Sequence, residues 1–112
     1  MFQSDAQISA VVRVLLHSVR LERLWGDAPS VEAVELLEQG GGPLSSGEFL
    51  MLRIAFDLWN NHGRALLGRV VNVLDNERLR LVGSLLVALA SGPSKVDWWL
   101  EQHQAEDKPH EP

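Results

Sequence analysis

The stretch from Phe49 to Trp59 does most to limit what this chain can become. Phe49, Leu50, Met51, Leu52, Ile54, Ala55, Phe56, Leu58 and Trp59 are apolar, and only Arg53, Asp57 and then Asn60 form a narrow polar strip. A helix that is apolar on most sides has to be buried on most sides. The rest of the chain must therefore wrap this helix. Its start is clearly marked: Ser45 and Glu48 stand at capping-box spacing, with Leu44 and Phe49 at the staple positions. Asn60-Asn61-His62-Gly63 ends it.

The remaining segments read as helices too, five or six in all, with no strand. Ser4 is the expected cap of a first helix, with Gln7 at the capping-box position. Ile8, Val11, Val12, Leu15, Leu16 and Val19 then recur at helical spacing. This helix is expected to run to Trp25, with Gly26 as a left-handed cap. Asp27-Ala28-Pro29-Ser30 opens a second helix, which Gly40-Gly41-Gly42-Pro43 stops. That glycine run at 40–42 is expected to be a hinge. A short fourth helix spans about Leu66 to Leu74. Asp75 caps a fifth, whose core stripe is Val82, Leu85, Leu86 and Leu89, with Gly83 and Ser84 permitting close helix approach. Gly92-Pro93 ends it, and Ser94 with Asp97 opens a last helix bearing Val96, Trp98, Trp99 and Leu100.

The expected architecture is all-α: a compact bundle of short helices around the central helix at about 45–61. The fifth helix is expected to be its main partner, with the first, second and last helices outside. One domain covers 1–104, and the stretch from Ala105 to Pro112 reads as a disordered polar tail. At 112 residues a chain buries roughly 65% of the surface its unfolded form exposes. A core is thus attainable without metal or disulfide.

Composition narrows the chemistry. There are no cysteines, which removes thiolate metal sites and cysteine nucleophiles. No segment has the roughly 18 uninterrupted apolar residues of a membrane span. The first residues lack the basic start of a secretory signal, so the expected location is the cytoplasm. The net charge of −5 is uneven. Residues 26–48 hold Asp27, Glu32, Glu35, Glu38 and Glu48 without a base, whereas residues 49–92 hold five arginines against three acids. An acidic total disfavours nucleic acid, where phosphate contacts supply most of the affinity.

Motifs for catalysis or ligand binding are weak. Setting Gly63 at the sixth position of a calcium loop puts Leu58 first and Arg69 twelfth, where carboxylates are required. His17, His62, His103 and His110 have no partner at metal-ligand spacing. Glu32, Glu35 and Glu38 form a surface row without the burial that would shift a catalytic carboxyl. No enzyme activity, cofactor or metal is expected. The fourth and fifth helices have the outline of a helix-turn-helix, with Arg64, Arg69, Arg78 and Arg80 as its nucleic-acid-binding residues, but the fifth is too apolar past Arg80 to leave a readable outer face.

The strongest remaining signal is Trp98-Trp99. Adjacent helical residues point about 100° apart, so one can pack inward while the other faces elsewhere, and tryptophan is a favoured interface anchor. The expectation is a small acidic interaction protein: an adaptor, regulator or inhibitor. It would bind a protein partner, or a second copy in a homodimer, through Trp98, Trp99, Glu32, Glu35 and Glu38. Arg13, His17 and Arg20 would meet the three glutamates within the chain or across an interface. The alternative is a DNA-binding regulator.

Overall fold

A computed structural model describes residues 2–107. Those residues form six α-helices: α1 (Asp5–His17), α2 (Val31–Glu38), α3 (Ser46–Asn60), α4 (Leu67–Val73), α5 (Asn76–Ser91) and α6 (Pro93–Asp107). A 3-10 turn, Glu22–Leu24, lies between α1 and α2. The bundle is all-α, as its patterning demands. The tail expected from Ala105 falls mostly outside the described residues, and the backbone of α6 runs on to Asp107.

Helix starts follow from local chemistry. The Ser45 hydroxyl accepts the Glu48 amide at 3.1 Å while the Glu48 carboxylate accepts the Ser45 amide at 2.8 Å, a complete capping box. The Ser30 hydroxyl and the Asp75 carboxylate cap α2 and α5. At α1 the Ser4 hydroxyl accepts the Gln7 amide, but the Gln7 side chain accepts from the Gln3 amide instead of closing the box on Ser4. Its other end donates to the Pro93 carbonyl and the Asp97 carboxylate, tying the start of α1 to α6.

Helix α1 ends eight residues short of Trp25, at His17. The left-handed cap is Arg20, at φ 62°, and not Gly26. The Leu21 amide donates to the Leu16 carbonyl and the Arg20 amide to the His17 carbonyl, the paired bonds of a Schellman turn. Leu16 and Leu21 are both buried in one cluster, and that contact stabilises a turn made without glycine. The next segment lies along α1: Ser9 donates to the Asp27 carbonyl at 2.7 Å and Arg13 to the Gly26 carbonyl at 2.6 Å.

Glycines 40–42 form a hydrogen-bonded turn. Gly40 and Gly41 donate to the Leu37 and Leu36 carbonyls, and all three glycines have positive φ. A Cβ on Gly41 would stand 2.8 Å from the Phe49 ring. Gly63 answers a different need. The chain leaves α3 through Asn61 at φ 65° and doubles back so closely that a Cβ on Gly63 would overlap the Arg53 carbonyl and lie 2.8 Å from the Asp57 nitrogen. The Asp57 carboxylate holds this return, accepting the Arg64 and Ala65 amides at 2.8 and 2.9 Å.

The core is two clusters sharing α1 and α3. Val11, Val14 and Leu15 of α1 and Leu50, Met51 and Ile54 of α3 meet α4, α5 and α6. Val12 and Leu16, with Leu52, Ala55 and Phe56, meet the 3-10 turn and α2 on the other flank. Helix α3 is central, with no exposed side chain from Phe49 to Trp59. Its main partner is α1, however, and not α5; α5 packs chiefly on α6. Helix α1 is therefore a second central helix, with no exposed residue between Gln7 and Leu16. The reason lies in its sequence, where adjacent pairs Val11-Val12 and Leu15-Leu16 supply two apolar faces and not one.

Helix α6 starts at Pro93 directly after Gly92, one residue before the Ser94 expected to open it. Proline suits the first helical position, since its missing N–H would have no partner there. Gly83, expected at a close crossing, has nothing within 4 Å of a built Cβ.

Candidate functional site

Trp98 and Trp99 take opposite roles. Trp99 is 2% exposed, and its indole N–H donates to the Ser84 hydroxyl at 2.8 Å. It belongs to the core, so of the two tryptophans only Trp98 is presented to solvent. Trp98 is 57% exposed and sits beside Val87, 68% exposed, at a cleft of about 220 Å³ between α5 and α6. Ser84, Ala88, Ser91, Lys95 and Trp99 complete the lining. Leu86, expected in the core stripe of this helix, is instead 53% exposed and does not line the cleft.

The glutamate row does not join this surface. Helix α2 packs on α3 and the 3-10 turn, whereas α6 packs on α5 and α1. Glu32, Glu35 and Glu38 therefore occupy the opposite flank of the α1–α3 pair from Trp98. Glu32 pairs with Arg23 at 3.1 Å. None of Arg13, His17 and Arg20 makes the expected contact: Arg13 holds the Gly26 carbonyl, His17 lies 3.6 Å from Glu22, and Arg20 is the left-handed turn residue. Val31 and Val34 are exposed between the glutamates, so the α2 face mixes apolar and acidic groups.

The four arginines assigned to a nucleic-acid face are also dispersed. Arg78 is occupied within the fold, its Nε and Nη2 donating to the Ser18 carbonyl. Arg64 and Arg69 are exposed around α4, and Arg80 is exposed on α5. Helix α4 packs on α3 and α5 on α6, unlike a helix-turn-helix, in which the two helices form one unit.

Two further arrangements appear, the first without any signal in the sequence and the second between residues at i, i+4 spacing on α3. His17 and His103 line a single cleft of about 360 Å³ with Ser18, Glu77, Arg78 and Arg80, and the His103 ring packs on Trp99 with centroids 4.4 Å apart and planes tilted by 49°. Arg53 lies over the Phe49 ring at 4.5 Å and donates to the Arg64 carbonyl at 3.4 Å, while its Nε is buried without a hydrogen-bond partner. Among the described residues no group of three or more His, Asp or Glu side chains is placed to hold a metal ion. No described helix is long and apolar enough to cross a membrane. No protein-family model, curated protein or solved structure matches the chain.

Proposed function

We propose that this protein is a non-enzymatic interaction module, an adaptor, regulator or inhibitor that works by binding another protein chain through the outer side of α5 and α6. The observation that carries this reading is Trp98, 57% exposed beside exposed Val87. A large aromatic with apolar neighbours and a cleft at its edge has the composition of an interface hot spot. Such a group costs solubility when it stays in water, and burying it against a partner recovers that cost. The acidic and apolar face of α2, with Glu35 and Glu38 exposed, would be a separate electrostatic contact that steers a basic partner toward the molecule.

The reading is tested by affinity capture of the tagged protein from its own cells, using the unaltered chain, Trp98→Ala, and a Glu35→Lys, Glu38→Lys variant. A protein held by the unaltered chain and lost with Trp98→Ala supports it. A protein retained by Trp98→Ala and lost with the lysine variant moves the interface to α2 and refutes the placement.

A further inference from the structure

The outer side of α5 is unusual for a surface helix. No residue from Leu81 to Ser94 is charged, although Ser84, Leu86, Val87, Ala90 and Ser91 all face solvent. A solvated helix face normally carries charge. Charges appear only at the two ends of the stripe. Glu77, Arg80, Ser84, Val87 and Ser91 follow one another at three- and four-residue spacing along one side of α5. Lys95 continues the stripe past the α5–α6 corner, lining the same cleft as Val87 and Ser91. The order along the surface is acid, base, a long uncharged centre, then base.

The relief of this face matters as much as its charge. Val87 and Trp98 stand out as a ridge. Gly83, one turn before Val87, leaves open space where a side chain would be. One face thus carries both a projection and a gap that could receive it, which is what a two-fold interface between identical chains requires.

The end charges select an orientation. Arg80 is exposed and makes no ion pair among the described residues. The last turn of α5 contains no base to offset its carbonyl end. An antiparallel copy of α5 brings Arg80 to that end of its partner and Glu77 toward the partner's Lys95. A parallel copy would set Arg80 against Arg80.

We infer that the chain forms an antiparallel two-fold dimer in which α5 packs on α5 of a second copy, Val87 of each seated over Gly83 of the other and Trp98 covering the flank. The inference rests on the reading of α5 and α6 as the interaction surface, and it names a second copy as the occupant. A different protein would need an equally uncharged face with opposite charges at matching ends, which the chain itself already supplies.

The test is sedimentation equilibrium of the full chain, together with Val87→Glu and Val71→Glu. Both valines are exposed, so neither change disturbs the core, and helicity measured alongside confirms folding. The expected result is a dimer that Val71→Glu leaves intact. Val87→Glu, which sets two carboxylates near the two-fold axis, should weaken it about tenfold or more. The chain has no cysteine of its own, so introduced thiols report orientation cleanly. A mixture of Gly83→Cys and Val87→Cys chains should give a mixed disulfide dimer, whereas Arg80→Cys should not link to itself. A monomer at every concentration, a dimer unaffected by Val87→Glu, or self-linking of Arg80→Cys each overturns the inference. A monomeric chain that still captures another protein through Trp98 would refute the dimer alone; one that captures nothing would refute the interaction reading as well.

Discussion

Arg78 closes the end of α1 from 60 residues away: its Nε and Nη2 donate to the Ser18 carbonyl at 3.1 and 2.8 Å. Its remaining nitrogen, Nη1, faces Glu77 at 2.7 Å and Asp75 at 3.4 Å, so the guanidinium is oriented by the first turn of its own helix. The side chain is 25% exposed, sheltered enough for these charge-assisted bonds to contribute to stability. Arg78→Ala should cost about 1.5–3 kcal/mol, and Arg78→Lys should recover only part of it because an ammonium cannot reproduce the forked geometry. Urea unfolding of the three proteins measures this; equal stability would mean that the tie contributes nothing.

The return of the chain against α3 makes Gly63 irreplaceable. A Cβ there meets main-chain atoms of Arg53 and Asp57, which cannot swing aside as a side-chain tip can. Gly63→Ala should cost about 3 kcal/mol or more. Gly68, in α4, has nothing within 4 Å of a built Cβ. Gly68→Ala should instead stabilise by about 0.5–1 kcal/mol, since alanine loses less backbone freedom in a helix. Thermal unfolding of both variants separates them, and destabilisation of similar size in the two would contradict the packing described.

The two adjacent tryptophans should respond oppositely to truncation. Trp99→Ala empties a core position and leaves Ser84 without its donor, a loss of about 3–5 kcal/mol. Trp98→Ala should change stability by about 1 kcal/mol or less, because the side chain is largely exposed. Its effect should fall on association instead. Denaturant midpoints paired with binding measurements test this, and a large stability loss for Trp98→Ala would place that residue in the core.

Local signals of the fold were legible and long-range ones were not. Ser45, Ser30 and Asp75 announce helix starts because a cap is a contact between residues three apart, and Phe49 to Trp59 announces a buried helix because burial needs apolar side chains all round. The end of α1 was hidden because its left-handed residue is an arginine, stabilised by a Leu16–Leu21 contact that only the folded turn creates. The pairing of α1 with α3 was missed because doubled apolar residues such as Val11-Val12 read as one broad stripe, although they serve two clusters. At the surface, the spacing of Trp98 and Trp99 shows that they diverge, but only the placement of Ser84 determines which turns inward. The joining of Arg23 to Glu32, and the placing of His17 and His103 on one cleft, depend on chain reversals that no spacing rule encodes.

The account stands or falls on Trp98 becoming buried when the protein associates. The direct measurement is fluorine NMR of the full chain labelled with 5-fluorotryptophan, its four tryptophan resonances assigned by single Trp→Phe replacement. Spectra would be recorded from dilute to concentrated protein and with any captured partner. The prediction is that the Trp98 resonance shifts and loses its solvent-isotope sensitivity on association, while those of Trp25 and Trp99, already buried, stay in place. A Trp98 resonance that remains solvent-exposed while the protein is demonstrably bound to a partner or to itself would contradict the account.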